Sequence, residues 1–153
     1  MIMLRLNFAI TCSLLFVALT ALPVSGRAAP LITSEEASLP PQKGAVPNSG
    51  RGITRGPKIQ VPEMEAGVHT SPVHFLVKFQ TFGGSSIDLD ALKVTYLKSP
   101  VVDLTSRVRP FALPTGIDMP DAQLPPGEHL VRIDIRDSEG RTASTSFFLK
   151  IAP

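Results

Sequence analysis

Cysteine is almost absent from the sequence, and its one example lies near the start of the chain. Cys12 is part of an apolar run, and no cysteine follows it. An exported chain without paired cysteines cannot be a disulfide scaffold, so packing alone must hold its folded part together. That part also offers no thiolate as a nucleophile or as a metal ligand.

Several chemistries lack the residues that they require. The chain has no tryptophan and one tyrosine, which supplies few rings for an aromatic sugar-binding platform. Serine, histidine and aspartate are present, but none stands in a nucleophile elbow, and neither a glycine-rich phosphate loop nor a zinc-ligand spacing occurs. The sequence therefore predicts a protein that is not an enzyme and has no cofactor.

The charges are nearly balanced. Fifteen lysines and arginines face thirteen aspartates and glutamates, a formal net charge of +2. No run of basic residues stands out, whereas a nucleic-acid partner calls for a clustered basic face. We therefore expect no nucleic-acid partner.

The first 26 residues have the pattern of a secretory signal peptide. Arg5 precedes an apolar run from Phe8 to Leu22, and small residues follow, with Val24 and Gly26 placed for cleavage after Gly26. The run is shorter than the roughly 20 residues of a membrane-spanning helix. We expect a periplasmic or secreted protein with no stable membrane span after cleavage.

Residues 27–56 change in character, because proline and glycine interrupt any hydrophobic period. Such a segment buries too little apolar surface to offset its ordering entropy. It is predicted to be a disordered Pro/Gly-rich linker that precedes a folded domain at 57–153.

Alternating hydrophobic residues dominate the remainder. In "SPVHFLVKFQ", Val73, Phe75, Val77 and Phe79 share one face, the period of a half-buried strand. The stretch "LPPGEHLVRIDIRDSEGRTASTSFFLKI" reads as a hairpin, with inward residues at odd positions from Val131 to Ile135 and from Ala143 to Ile151. Gly140 is placed for a left-handed turn residue.

The remaining predictions concern shorter pieces. Ile59 and Val61 open a short strand, Asp88 caps a helical turn through Leu92, and a strand then continues to Tyr96. "VVDLT" and residues 107–113 are predicted strands, whereas residues 114–129 are predicted loops and edge pieces. About seven short strands without a long helix indicate an all-β, immunoglobulin-like two-sheet sandwich.

The motifs "SSIDLDALKVTYLKS" and "LPPGEHLVRIDIRDSEGRTASTSFFLKI" resemble those of bacterial immunoglobulin-like modules in secreted and cell-surface proteins. The matching positions are Leu124, Gly127, His129, Asp137 and Gly140. The resemblance covers about residues 57 to 152. It implies a spacer, a stalk or a binding module, usually in tandem or beside catalytic or adhesive domains.

Two groups of side chains suggest metal sites. Met64, His69, His74, Met119 and His129 are residue types that suit copper, although no short ligand spacing supports a shared site. His129 has the parity of Val131, which favours an inward side chain bonded to backbone. Asp134, Asp137 and Glu139 could suggest calcium, but they lack the full ligand set, and turn chemistry explains them better.

The insert at residues 98–123 offers a possible interaction edge. Arg107 and Arg109 alternate with Val108 on a predicted strand, which could accept a partner's strand or an acidic surface, or could simply block unwanted pairing. The sequence thus predicts a non-catalytic binding or structural accessory module of the cell envelope. Its partner is expected to be an envelope or extracellular protein, or a surface polysaccharide, and the alternative is a periplasmic copper-binding protein.

Overall fold

A computed structural model of the chain describes residues 29–48, 55–64 and 66–153, so the predicted signal peptide lies outside the described residues. The strands are β1 (Ala29–Pro30), β2 (Lys58–Gln60), β3 (Val68–His69), β4 (Val73–Gln80), β5 (Ile87–Tyr96), β6 (Val102–Asp103), β7 (Ala112–Leu113), β8 (Gly116–Gln123), β9 (Gly127–Asp137) and β10 (Thr142–Ile151). The helices are α1 (Ser34–Ser38), α2 (Thr105–Val108) and a 3-10 turn (Arg109–Phe111). None of these helices is long and apolar enough to cross a membrane.

The strands form two sheets packed as a sandwich. One sheet has the order β1-β8-β4-β2, with β7 also paired to β8, and the other has the order β3-β10-β9-β5-β6. The predicted all-β two-sheet sandwich is confirmed, although short edge strands raise the number of strands to ten in the described residues.

The predicted alternation places the core correctly. All four odd-numbered hydrophobic residues of β4 are buried, and so are Val131, Ile133 and Ile135 of β9. The rings of Phe75 in one sheet and Phe147 in the other stack with centroids 6.4 Å apart. The two inner faces therefore interlock across the sandwich, and Gly140 adopts the left-handed conformation that its turn requires, at φ 81°.

The predicted helical turn after Asp88 is wrong. Oδ1 of Asp88 does accept a hydrogen bond from the backbone N–H of Asp90 at 3.0 Å, as a capping residue would. The chain nevertheless stays extended, and the pairing of β5 with β9 shifts register between Asp88 and Lys93. The hydrogen bond between Asp90 and Asp88 therefore occurs at a β-bulge and not at the start of a helix.

Two predictions within the insert are also wrong. Residues 105–111 form α2 and the 3-10 turn, so the arginines there do not lie on a strand. Gly116–Gln123, within the predicted loop region, is a strand paired with β4. Gly116 makes this pairing possible, because a Cβ at that position would lie 2.1 Å from the backbone oxygen of Val77.

The predicted disorder of residues 27–56 is wrong for the described residues 29–48. Leu31 and Ile32 are buried in the hydrophobic core, and β1 pairs in parallel with the end of β8. Thr33 and Glu36 form a capping box around α1, in which each side chain accepts a hydrogen bond from the other residue's backbone N–H. Two buried apolar residues and a capped helical turn thus contribute to the order of this segment.

Two cations hold α1 against the sandwich. Arg107 forms two hydrogen bonds with the Glu36 carboxylate, at 2.8 and 2.6 Å, and one with the backbone oxygen of Leu31 at 2.8 Å. Lys98 donates to the backbone oxygens of Ala37 and Leu39, both at 2.8 Å. We call these contacts the N-terminal latch.

The segment after α1 continues across the outer face of the second sheet. Pro41 forms an isolated bridge with Lys98, after β5, and Asn48 forms another with Ser146 of β10. The chain therefore crosses from β5 to β10 over the intervening β9. Residues 29–48 thus belong to the folded domain, which begins earlier than the predicted boundary at 57.

Pairing registers fix which ends of the strands lie together. Ala122 of β8 pairs with Val73 at the start of β4, and Ile151 pairs with Gly127 at the start of β9. The first and last described strands consequently meet the sandwich at one end. The β9–β10 turn and the β4–β5 loop lie at the opposite end, since Ile87 pairs with Asp137.

Candidate functional site at the β9–β10 turn

The β9–β10 turn is braced from inside by a buried carboxylate. Oδ1 of Asp137 accepts hydrogen bonds from the backbone N–H groups of Glu139 and Arg141, at 3.0 and 2.9 Å. Oδ2 accepts from Nε of Arg141 at 2.7 Å. Burial alone would raise the pKa of Asp137, but the bonds from Arg141 and the backbone outweigh it, so the pKa is lowered.

Arg141 then links this turn to the β4–β5 loop. Its Nη2 donates to the backbone oxygen of Phe82 at 3.3 Å and to the Ser85 hydroxyl at 3.1 Å. Its Nη1 forms an ion pair with Glu139 at 2.9 Å, and the Glu139 side chain is 53% exposed. The Arg141 guanidinium therefore joins the β9–β10 turn to the loop that connects the two sheets, and a 2.8 Å hydrogen bond from the Ser138 N–H to the Ser86 oxygen adds to this link.

Two of the acidic residues near the turn have partners within the protein. Both carboxylate oxygens of Asp137 accept hydrogen bonds from the turn backbone or from Arg141. Asp134 forms an ion pair with Arg132. In the part of the chain that the structure describes, no three carboxylate, histidine or cysteine side chains group as a metal site. Asp137 thus has the turn role that the sequence suggested.

A groove of about 480 Å³ opens beside the braced turn. Its walls come from the start of β2 and the residues before it, the β4–β5 loop and the β9–β10 turn. Its lining residues are Arg55, Lys58, Phe82, Gly83, Glu139 and Arg141. Three of these side chains are cationic and one is acidic. We call this feature the cationic groove.

The other two cations of the groove, Arg55 and Lys58, differ from Arg141. Nζ of Lys58 lies 5.3 Å from the centroid of the Phe82 ring, a cation–π contact. Within the described residues, neither Lys58 nor Arg55 forms an ion pair, and both are exposed. Lys58 and Arg55 are therefore accessible to an incoming anion. Arg141, in contrast, already contacts four residues through its guanidinium group.

The sequence did not single out Arg55, Lys58 or Phe82. Arg55 falls within the predicted linker, and Lys58 opens a strand that was noted only for its apolar residues. A usable signal was present, because Phe82 directly precedes Gly83 and Gly84 at the end of a strand, where a backbone reversal leaves an aromatic ring on a loop. Their proximity depends on tertiary pairing, which local sequence does not report.

The arginines that the sequence proposed for an interaction edge lie elsewhere. Arg107 belongs to the N-terminal latch, and the bond to Glu36 raises its pKa. Arg109 forms an ion pair with Asp90 of β5. In place of the expected strand edge with two cations on one side, the chain forms α2 and the 3-10 turn, and both arginines have acidic partners.

The structure assigns other contacts to two of the proposed copper ligands. Nε2 of His129 lies 2.8 Å from the backbone oxygen of Pro125, and Nδ1 lies 2.9 Å from the Tyr96 hydroxyl. His74 is exposed in the opposite sheet and pairs with Asp118 at 2.7 Å. His129 is thus inward and bonded to backbone, as predicted, with both ring nitrogens in use.

The remaining members of the proposed copper set, Met64, Met119 and His69, have buried side-chain atoms. Met64 and Met119 are buried in the hydrophobic core. Nε2 of His69 is buried without a hydrogen-bond partner among the described residues. Of the three histidines, His69 alone has an Nε2 atom that these contacts leave free for a ligand.

Comparison with protein-family models, with curated protein sequences and with solved structures finds no match for this chain.

Proposed function

We propose that this protein is a non-catalytic, immunoglobulin-like binding module of the cell envelope, exported to the periplasm or beyond, and that the cationic groove is its binding surface. The observation that carries the proposal is the placement of the groove. It lies at the end of the sandwich opposite to the first and last described strands. The groove is therefore separated by the length of the sandwich from the strands at which the described chain begins and ends.

The way the groove is built also supports binding. Loops on a rigid sandwich are common recognition sites. Here Arg141, which is paired with the buried carboxylate of Asp137, also donates hydrogen bonds to Phe82 and Ser85 and so joins the β9–β10 turn to the β4–β5 loop. A preorganised surface loses less conformational entropy when it binds. The N-terminal latch at the far end has a structural role in this account, since its charges already have partners.

Site-specific photo-crosslinking in the native host tests the proposal. A photoreactive residue at position 139 lines the groove, and one at Lys93 on the exposed face of β5 serves as the control position. We expect a discrete envelope adduct from position 139 that is absent from position 93. No adduct from position 139, or the same adducts from both positions, would contradict the proposal.

A further inference from the structure

We infer that the cationic groove recognises an acidic, carboxylate-rich polypeptide segment of its partner. This inference rests on the proposed function, because it assigns a ligand chemistry to the same groove. It follows from how Lys58, Phe82, Glu139 and Arg141 are arranged.

The first step concerns Glu139, which already occupies the kind of position that a ligand carboxylate would take. Oε2 of Glu139 lies 2.9 Å from Nη1 of Arg141, at the wall of the groove. Its side chain is about half exposed, and an ion pair of this kind contributes little net stability. A carboxylate from a partner can therefore replace Glu139 on Arg141 at small cost.

The second step concerns the open cations. Arg55 and Lys58 line the same groove as Arg141, without ion pairs among the described residues. Three cations against the two carboxylates that contact Arg141, Asp137 and Glu139, leave a net positive charge at the groove. A segment with several carboxylates can engage this group more fully than a single anion can.

The third step favours a polypeptide over a polysaccharide. The Lys58 ammonium stands over one face of the Phe82 ring, 5.3 Å from its centroid. A sugar ring that stacked on this face would have to displace the ammonium, whereas a carboxylate can bind Lys58 where it stands. The described lining of the groove also contains no neutral polar side chain of the kind that commonly binds sugar hydroxyls, and Glu139 is its only acceptor side chain among those residues.

Fluorescence anisotropy with labelled hexaglutamate tests the inference, and hexaglutamine serves as the uncharged probe. Binding should weaken as salt rises, since the contacts are exposed ion pairs. The double variant Arg55→Glu/Lys58→Glu should bind at least about tenfold more weakly than wild type. The variant Lys43→Glu/Lys93→Glu makes the same change in net charge at exposed positions outside the groove, and it should bind nearly as well as wild type.

A gain of affinity provides the sharper test. Glu139→Gln removes the internal competitor for Arg141 and should bind hexaglutamate several-fold more tightly. Glu128→Gln makes the same charge change at the start of β9, at the other end of the sandwich, and should leave the affinity nearly unchanged. Melting temperatures close to wild type confirm that each variant is folded.

The outcomes separate this inference from the proposed function. Absence of hexaglutamate binding by both wild type and Glu139→Gln at low salt overturns the inference. An equal loss of hexaglutamate affinity in the groove double variant and in the control double variant also overturns it. Binding of an oligouronate without hexaglutamate identifies a polysaccharide ligand and also overturns it. In each case, a specific adduct from position 139 would still support the proposed function as a binding module. Absence of that adduct would overturn both the proposed function and this inference.

Discussion

The Tyr96 hydroxyl donates a 2.9 Å hydrogen bond to Nδ1 of His129 inside the sandwich. The direction follows from the other ring nitrogen, because Nε2 lies 2.8 Å from the Pro125 oxygen, which can only accept. Burial lowers the pKa of His129 and raises the pKa of Tyr96 to about 12. Both side chains are therefore neutral, and each satisfies a polar group of the other that lies out of reach of water.

Removing the Tyr96 hydroxyl should leave Nδ1 of His129 buried without a partner. We expect Tyr96→Phe to lower the free energy of unfolding by about 1–3 kcal/mol, measured by urea denaturation. His74→Gln, at an exposed ion pair, is the control and should change stability by less than about 1 kcal/mol. Equal effects of the two substitutions would show that the buried hydrogen bond contributes no more than the exposed ion pair.

Leu31 tests whether the N-terminal segment belongs to the core. Its side chain is fully buried, so Leu31→Ala should cost about 2–5 kcal/mol through lost burial and the cavity left behind. Val46→Ala, at a position 66% exposed in the same segment, should cost little. Melts in which both variants match wild type would restore the interpretation of residues 29–48 as a free tail.

The N-terminal segment also shows where sequence reasoning failed. Proline and glycine density predicted disorder for residues 27–56, but composition averages over the segment and hides the pair Leu31 and Ile32. The residues that hold this segment in place are distant in sequence, since Arg107 contacts Leu31 and Lys98 contacts Ala37. Tertiary contacts of that kind leave no local periodicity.

Strands with strict alternation were predictable, because each buries one face of a sheet. The inward residues of β4 and β9 were assigned correctly, and β8 was missed because Gly116 and Pro120 interrupt its pattern. The candidate site was predicted only in its turn residues. Arg55, Lys58 and Phe82 come from three separate places in the sequence, so only the folded arrangement brings them together.

Acidification provides a test of the N-terminal latch. The hydrogen bonds from Arg107 lower the pKa of Glu36 from 4.5 to about 2. A lowered folded-state pKa gives stability that is present above 4.5 and is lost as the pH falls towards 2. Glu36→Gln should therefore be less stable than wild type at pH 7 by about 1–2 kcal/mol, and the difference should shrink between pH 4.5 and 2.

Denaturation curves at each pH measure this difference. Glu35→Gln, an exposed neighbour in the first turn of α1, is the matched control and should show no such convergence. A gap between Glu36→Gln and wild type that stays constant down to pH 2 would rule out a linked ion pair with Arg107.

Copper should not stabilise the protein through His129. Both nitrogens of that ring are engaged, and Cu²⁺ would have to break the bond to Tyr96 or to Pro125 in order to bind. We expect the melting temperature to be unchanged when Cu²⁺ is in excess. A rise that is lost in His129→Gln would revive the copper-binding alternative, and a rise lost only in His69→Gln would point to the free Nε2 of His69.

Backbone NMR titration with hexaglutamate tests the central claim most directly, because it locates the bound peptide on the protein. The account predicts amide shift changes that cluster at Arg55, Lys58, Phe82 and residues 139–141, around the cationic groove. The arginines on the outer face of β9, Arg132 and Arg136, should show little change, since both already form ion pairs. Changes centred on those arginines, or spread evenly over all basic residues, would contradict the account.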